Sequence, residues 1–407
     1  MINTRVVRWG VALAALVFFF GANLGCAGLR RGPAVPKDLQ DRAIVPGLPD
    51  VRTWGDYVSP AFRDNVFAAL QRKRAHWVAT GHAEHPPAGT GLAVSGGGAN
   101  GAFGAGLLCG WTEKGDRPEF EIVTGISTGA LIAPFAFLGP EYDSVLREVY
   151  TSISTSSILR ERGLLGALTS DALSDNEPLW KLLAKYVDEA LLDAVAAEYE
   201  EGRLLLIGTV NLDSRRSVIW NIGAIAASDD PKALGLVRSI LIASASIPAA
   251  FPPVMIDVEV DGRNFQEMHV DGGCLNEVFL YPTSFVPLEV RKAARVERER
   301  RLYVIRNSRV DPDWAEVERQ TLSIAERAIS ALIHSQGLGD LNRMFMTARR
   351  DGMEFNLACI PADFEEVPQE PFDRGYMRKL FDVGFELARG GYPWSKTPPG
   401  YVELDQP

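Results

Sequence analysis

Cysteine is scarce in this sequence: the 407-residue chain has four. With Cys26 set aside for a reason given below, Cys109, Cys274 and Cys359 form an odd set with no metal-ligand spacing. That count argues against a disulfide framework, and each of the three reads as a small buried hydrophobe. A basic excess is also missing. Lys and Arg number 42 against 52 Asp and Glu, for a formal net charge of −10 and a pI near 5.2. Neutralising phosphates needs a basic surface, so nucleic acid is not an expected partner. The densest basic run, Arg291 to Arg301, is interleaved with Glu297 and Glu299 and reads as a solvated helix face. What is present is an ordinary globular composition, 46% hydrophobic and 23% charged, enough for one large domain or two smaller ones.

The first thirty residues differ in kind. Arg5 and Arg8 precede an uncharged stretch, Trp9 to Leu29, whose apolar heart is Val11 to Phe20 and whose exit is rich in small residues. This is the form of a secretory signal. Leu24-Gly25-Cys26-Ala27 resembles the lipobox of bacterial lipoproteins, which would make Cys26 an acylated first residue, although the leucine stands one place late. An uncleaved signal anchor is the alternative, since the span nearly matches roughly 30 Å of hydrocarbon. Either reading predicts an exported, membrane-attached protein of the cell envelope. Residues 27–59, with prolines at 33, 36, 46 and 49, are expected to form an extended tether.

Residues 60–89 should contain a helix, from the recurrence of Val66, Leu70 and Trp77. His76, His82 and His85 cluster near Glu84, but Gly81, Pro86 and Pro87 mark an irregular linker, so no metal site is expected. From Thr90 short apolar strands alternate with helices. Leu92–Ser95, Glu121–Ile126, Leu204–Val210, Ser217–Ile222 and Leu302–Ile305 read as strands. Ala102–Trp111, Leu131–Phe137, Asp143–Ser157, Glu177–Tyr199 and Leu234–Ala245 read as helices. Val254–Val260 and Glu267–Val270 flank the turn signal Asp261-Gly262. Such alternation implies an α/β fold with a mostly parallel sheet and helices on both faces, giving three layers. This α/β domain should span residues 90–309, with a helical C-terminal portion, 310–407, packed on it.

Three features stand at strand ends, where open α/β sheets place their sites. Gly125-Ile126-Ser127-Thr128-Gly129 has the Gly-x-Ser-x-Gly form of a nucleophile elbow between a strand and a helix. Ser127 would sit at a helix N-terminus, which favours developing negative charge. Gly96, Gly97, Gly98 and Gly101 lie in a second strand-to-helix turn, whose bare amides can converge on an oxyanion. The same turn satisfies a dinucleotide fingerprint, with Glu119 and Glu121 downstream, but Glu121 begins its strand where a ribose-binding acid should end it. Asp271-Gly272-Gly273 follows a strand and offers a carboxylate with room for close backbone approach.

Together these features resemble the patatin-like phospholipase family, in which a glycine-rich loop, a Gly-x-Ser-x-Gly elbow, an Ala-Ser-x-x-x-Pro block and an Asp-Gly-Gly motif follow in that order. Here they are Gly96 to Gly101, Gly125 to Gly129, Ala243 to Pro248 and Asp271 to Gly273, a resemblance covering about Gly91 to Asn276. It implies a three-layer patatin-like sheet with Ser127 as nucleophile, Asp271 as base and Gly96, Gly97 and Gly98 as oxyanion loop, acting on lipid acyl esters without metal or cofactor. Asn100 stands where the family usually has a basic residue. Asn276 fits a downstream asparagine, and Glu277 replaces the second one found in many members. A Ser-Asp-His triad through His269 or His334 is the internal rival. A surface lipoprotein that keeps the fold and only binds lipid or protein is the rival without catalysis. Leu131–Phe137 and Leu164–Leu168 are candidates for lining an acyl groove.

Overall fold

The computed structural model describes residues 31–82, 84–162, 170–282, 284–285 and 298–402. The signal and lipobox reading, the Leu164–Leu168 groove and most of the Arg291–Arg301 run lie outside them. Among the described residues no helix is long and apolar enough to cross a membrane.

In chain order the elements are β1 (Arg52–Trp54), α1 (Pro60–Ala79), β2 (Gly89–Val94), α2 (Gly101–Lys114), β3 (Ile122–Gly125), α3 (Thr128–Leu138), α4 (Asp143–Ser152), β4 (Arg160–Glu161), β5 (Ser174–Asp175), α5 (Glu177–Tyr186), α6 (Glu189–Glu200), β6 (Leu204–Asn211), β7 (Arg216–Asn221), α7 (Ala233–Ser244), β8 (Val254–Val260), β9 (Arg263–Asp271), β10 (Arg300–Arg306), α8 (Thr321–Arg350), β11 (Glu354–Cys359) and α9 (Arg374–Arg389). The helix expected over Glu177–Tyr199 is two helices. Asp188 caps the second, accepting the Leu191 N–H at 3.0 Å, and a cap there starts a new helix rather than continuing the old.

The main sheet runs β1-β7-β6-β3-β2-β10-β11, with β9 pairing β6 and β8. Strands β6, β3, β2, β10 and β11 are mutually parallel. Alternate residues point to opposite faces. Leu92, Val94, Tyr303 and Ile305 pack against α2, α3 and α9, whereas Ala93, Leu302 and Val304 meet Leu341, Met344 and Phe345 of α8. Helices therefore cover both faces, as expected. Leu92, Leu302 and Val304 are fully buried, each contributing about 1.5–3 kcal/mol.

Two expectations are corrected. The supposed tether is stitched to the sheet: Arg31 pairs with Asp213 at 2.7 Å, Ile44 bridges Glu259 and β1 joins β7. Prolines limit helix there to one short 3-10 segment, Lys37–Arg42, but Val35, Val45, Leu48 and Val51 are buried. The C-terminal portion is not helical throughout, since β11 extends the parallel sheet beyond β10.

One register sets the site. Strand β3 pairs with Leu204–Ile207 of β6. Strand β9 pairs antiparallel with Thr209, Val210 and Asn211, further along β6. The end of β9 thus arrives beside the end of β3, and residues 127 and 271 meet although 144 positions separate them.

Candidate active site

Ser127 sits between β3 and α3 with φ 55° and ψ −126°, a backbone region that costs a non-glycine residue roughly 1–3 kcal/mol. The turn is held from outside. The Ser127 N–H donates to Ser244 Oγ at 3.0 Å, and that hydroxyl donates to the Gly208 carbonyl at 2.7 Å. Ser244 lies in the Ala-Ser block, which the sequence marks as a motif without disclosing this task. Gly129 is required by close approach, since a Cβ there would stand 2.3 Å from the Val94 carbonyl oxygen.

Asp271 ends β9 and is 4% exposed. Its Oδ1 accepts the Gly273 N–H at 2.7 Å, while Oδ2 is buried without a hydrogen-bond partner. Burial pushes the carboxyl up to about 7, against the opposing pulls of the neighbouring Ser127 hydroxyl and the Gly273 N–H. A poorly solvated carboxylate beside a serine hydroxyl is equipped to accept its proton.

The glycine-rich turn faces the same place. A Cβ on Gly96 would lie 3.2 Å from Ser127 Cβ. Gly97 has φ 149°, and a Cβ there would strike the Asn307 carbonyl oxygen at 2.2 Å, so only glycine fits. The Gly96 N–H, expected in the oxyanion set, already donates to the Glu277 carbonyl at 3.0 Å. This corrects the expected trio. Among the described residues the N–H groups of Gly97, Gly98 and Thr128 are engaged by no acceptor. Thr128 N–H opens α3, where helix geometry leaves amides unpaired. The remaining motif glycines sit in tight quarters: Gly101 against Thr128, Gly125 against the Gly129 carbonyl, Gly272 against Ile126 and Gly273 against Glu277.

The loop's anchor comes from a residue that the motifs do not include. Asn307, fully buried after β10, donates from Nδ2 to the Ser95 carbonyl at 2.9 Å and accepts the Gly104 N–H at 3.0 Å. Its own N–H donates to Ser95 Oγ at 2.9 Å. Asn100, in the place usually held by a basic residue, accepts a 2.6 Å hydrogen bond from Tyr376 Oη. Only a sheet order that sets β10 beside β2 brings Asn307 there, and local sequence carries no such signal.

Neither histidine joins this group. His269 is fully buried, with Nδ1 on Thr209 Oγ1 at 2.9 Å and Nε2 on Glu267 at 3.0 Å. Burial lowers its pKa despite the pull of Glu267, and Arg52 completes the cluster at 3.0 Å from Glu267 Oε1. His334 contributes its carbonyl to Arg306 at 3.5 Å. Near α1, His76 faces Glu201 at 3.6 Å and His82 bonds Thr80, and among the described residues no group of three His, Cys, Asp or Glu is arranged to hold a metal. Glu121 pairs with Arg298 and Glu119 with Lys73, both at the strand ends remote from the glycine-rich turn.

The apolar expectations divide. Ile132, Ala133, Phe135 and Phe137 are core residues, not a groove. An open apolar pocket lined by Phe62, Gly91, Ile122, Leu204 and Leu280 lies at the other end of the strands from Ser127. Two exposed apolar side chains are close to Asp271 in the fold: Ile247 follows Ser246, whose carbonyl accepts the Asp271 N–H at 2.9 Å, and the Leu275 N–H donates to the Gly272 carbonyl at 3.1 Å.

Residues 92–283 match the family model described as patatin-like phospholipase. No curated protein matches the sequence. Among solved structures, VipD from Legionella pneumophila matches at 12% identity with a TM-score of 0.35, over 75% of this chain and 67% of that one.

Proposed function

Residues 92–283 make up a patatin-like phospholipase domain, and from that premise we propose that the protein is a lipid acyl hydrolase working through a Ser127–Asp271 dyad. Members of this family act on lipid esters. What supports the dyad is the elbow serine beside a buried carboxyl with an unpartnered oxygen, next to a glycine-rich turn that keeps two amides unengaged.

Ser127 Oγ attacks the ester carbonyl carbon while its proton passes to Asp271. The tetrahedral oxyanion is held by the Gly97 and Gly98 N–H groups, with the positive end of α3 behind Ser127. Collapse expels the alcohol, which takes the proton from Asp271. Water then gives a proton to Asp271 and attacks the acyl-serine; as the bond to Ser127 Oγ breaks, Asp271 returns that proton to the serine, releasing the fatty acid and restoring the free hydroxyl and carboxylate. The exposed Ile247 and Leu275 give an acyl chain an apolar approach. Incubation with p-nitrophenyl esters and phospholipids of varied chain length, beside Ser127→Ala, tests the reading. Absence of Ser127-dependent hydrolysis from every substrate would overturn it in favour of a lipid- or protein-binding role.

Anchoring the loop matters to this mechanism. Asn307→Ala leaves the Ser95 carbonyl and the Gly104 N–H buried without partners, at about 1–3 kcal/mol each. We expect a lower melting temperature and a fall in kcat of roughly 10–100-fold with little change in KM, because the misplaced amides serve only the transition state. An unchanged kcat in the folded variant would remove Asn307 from the account.

We further propose that residues 1–26 direct export and that Cys26 carries the lipid that attaches the protein to the cell envelope. The composition of the first thirty residues supports this. Cys26→Ser should release the protein from the membrane fraction and abolish incorporation of labelled fatty acid. Membrane retention of the variant, with no fatty acid incorporated by the unmodified protein, would point to an uncleaved anchor.

A further inference from the structure

Glu277 stands inside the site, and the dyad mechanism gives it no task. Its backbone is fixed on both sides: its N–H donates to Asp340 Oδ2 at 2.7 Å, and its carbonyl accepts the Gly96 N–H at 3.0 Å. Its side chain is wedged between the two glycine motifs. Oε2 is 2.9 Å from the point where a Gly96 Cβ would stand, and Ser127 Cβ is 3.2 Å from that point, so the two lie within about 6 Å of each other. On the other side Oε1 and Asp271 Oδ1 are 2.6 and 3.1 Å from a Gly273 Cβ position, again within about 6 Å of each other.

The charged and titratable groups around it are few. Asp271 ends β9, and the Cys274 thiol follows in the next turn. Arg306 ends β10, and Asp340 with its partner Arg343 lies on α8. Asp340 is occupied by the Glu277 N–H, Asn276 and Arg343. Arg306 donates to the carbonyls of Arg309 and His334, and its charge reaches Glu277 without an ion pair. Among the described residues no cation forms a salt bridge with either Asp271 or Glu277. A buried carboxyl, Asp271, and a partly buried one, Glu277, therefore share the site with no cation in contact.

We propose that Glu277 is a specificity-determining residue that makes the site select acyl esters lacking negative charge near the scissile bond over anionic phospholipids. The inference rests on the hydrolase reading above. Charge additivity gives its reason. Ionised Asp271 already places one negative charge beside Ser127, and a phosphodiester next to the scissile ester adds another in a medium that screens little. Burial and the charge of Asp271 push Glu277 up to about 8, so it is largely protonated at neutral pH and becomes a third negative charge above that. Discrimination against anionic substrates should then rise with pH, and the rise should belong to Glu277.

The test compares a diacylglycerol with a phosphatidylglycerol of the same chains, each dilute in the same non-ionic detergent micelles. In the unmodified enzyme the neutral-to-anionic ratio of kcat/KM is expected to increase about tenfold between pH 7 and pH 9. In Glu277→Gln it should stay flat, with Glu277→Asn as a second neutral variant if the first folds poorly. A ratio that is flat in the unmodified enzyme, or that climbs equally in the variants, overturns the proposal. Hydrolysis that persists in Ser127→Ala overturns the dyad instead, so the two failures are separable.

Discussion

Replacing Ser127 by alanine should lower ester turnover by roughly 10⁴–10⁶-fold, about 5.5–8 kcal/mol of transition-state stabilisation, and eliminate labelling by a fluorophosphonate. The loss should be confined to chemistry. Ser127 adopts φ 55° through the pairing of its N–H with Ser244 and the packing of α3 on β2, and alanine keeps that backbone and that hydrogen bond. Ser127→Ala should therefore unfold at the same denaturant concentration as the unmodified protein. Glycine at this position relieves the backbone conflict, so Ser127→Gly should be equally inactive and more stable by about 1 kcal/mol. Residual turnover of Ser127→Ala above a hundredth of the original rate would show that another group is the nucleophile. A less stable Ser127→Gly would show that the elbow is not strained.

These residues were legible in the chain because each motif meets a local requirement. A serine between a strand and a helix, flanked by glycines, declares its turn within five residues. The β8–β9 hairpin is equally local: Asp261 and Gly262 both have positive φ, at 51° and 74°, as a two-residue turn between twisted strands demands. What stayed hidden depends on pairing between distant segments. Asn307 acts on Ser95 only because β10 lies beside β2. Gly96 loses its amide to Glu277 only because β9 ends beside β3. Strand β11 was missed because Glu354–Cys359 follows a long helix with few local strand signals, and its place is set by pairing with β10. The proline-rich N-terminal residues misled for a related reason. Closely spaced prolines disfavour a long helix and a central strand, which composition shows, but whether the remaining apolar residues find a sheet to cover is a tertiary matter.

Asp271→Asn should reduce turnover by roughly 10³–10⁴-fold and at the same time stabilise the protein. Both effects have one cause. Burial raises this carboxyl from its ordinary 3.8 to about 7, so in the native state it holds its proton more tightly than in the unfolded chain. For such a group stability falls as pH rises from about 4 to about 7, because between those values the native state binds the additional proton. Above pH 7 the full cost of a poorly solvated carboxylate is present, at most about 4 kcal/mol from the displacement of its pKa. Asparagine carries no charge and still offers an oxygen to the Gly273 N–H, so urea denaturation should find the variant more stable by up to a few kcal/mol at pH 8 and equal to the original at pH 4. Activity follows the opposite slope: kcat/KM of the unmodified enzyme on a neutral ester should climb with pH through about 7, as Asp271 gives up its proton and becomes a base. His269→Ala and His334→Ala should retain that climb, since neither ring reaches Asp271, although the first loses stability through the buried Glu267 and Arg52 it leaves behind. A histidine variant that loses turnover while remaining folded would restore the triad. An Asp271→Asn protein no more stable than its parent at pH 8 would mean that the carboxylate is better solvated than its burial implies.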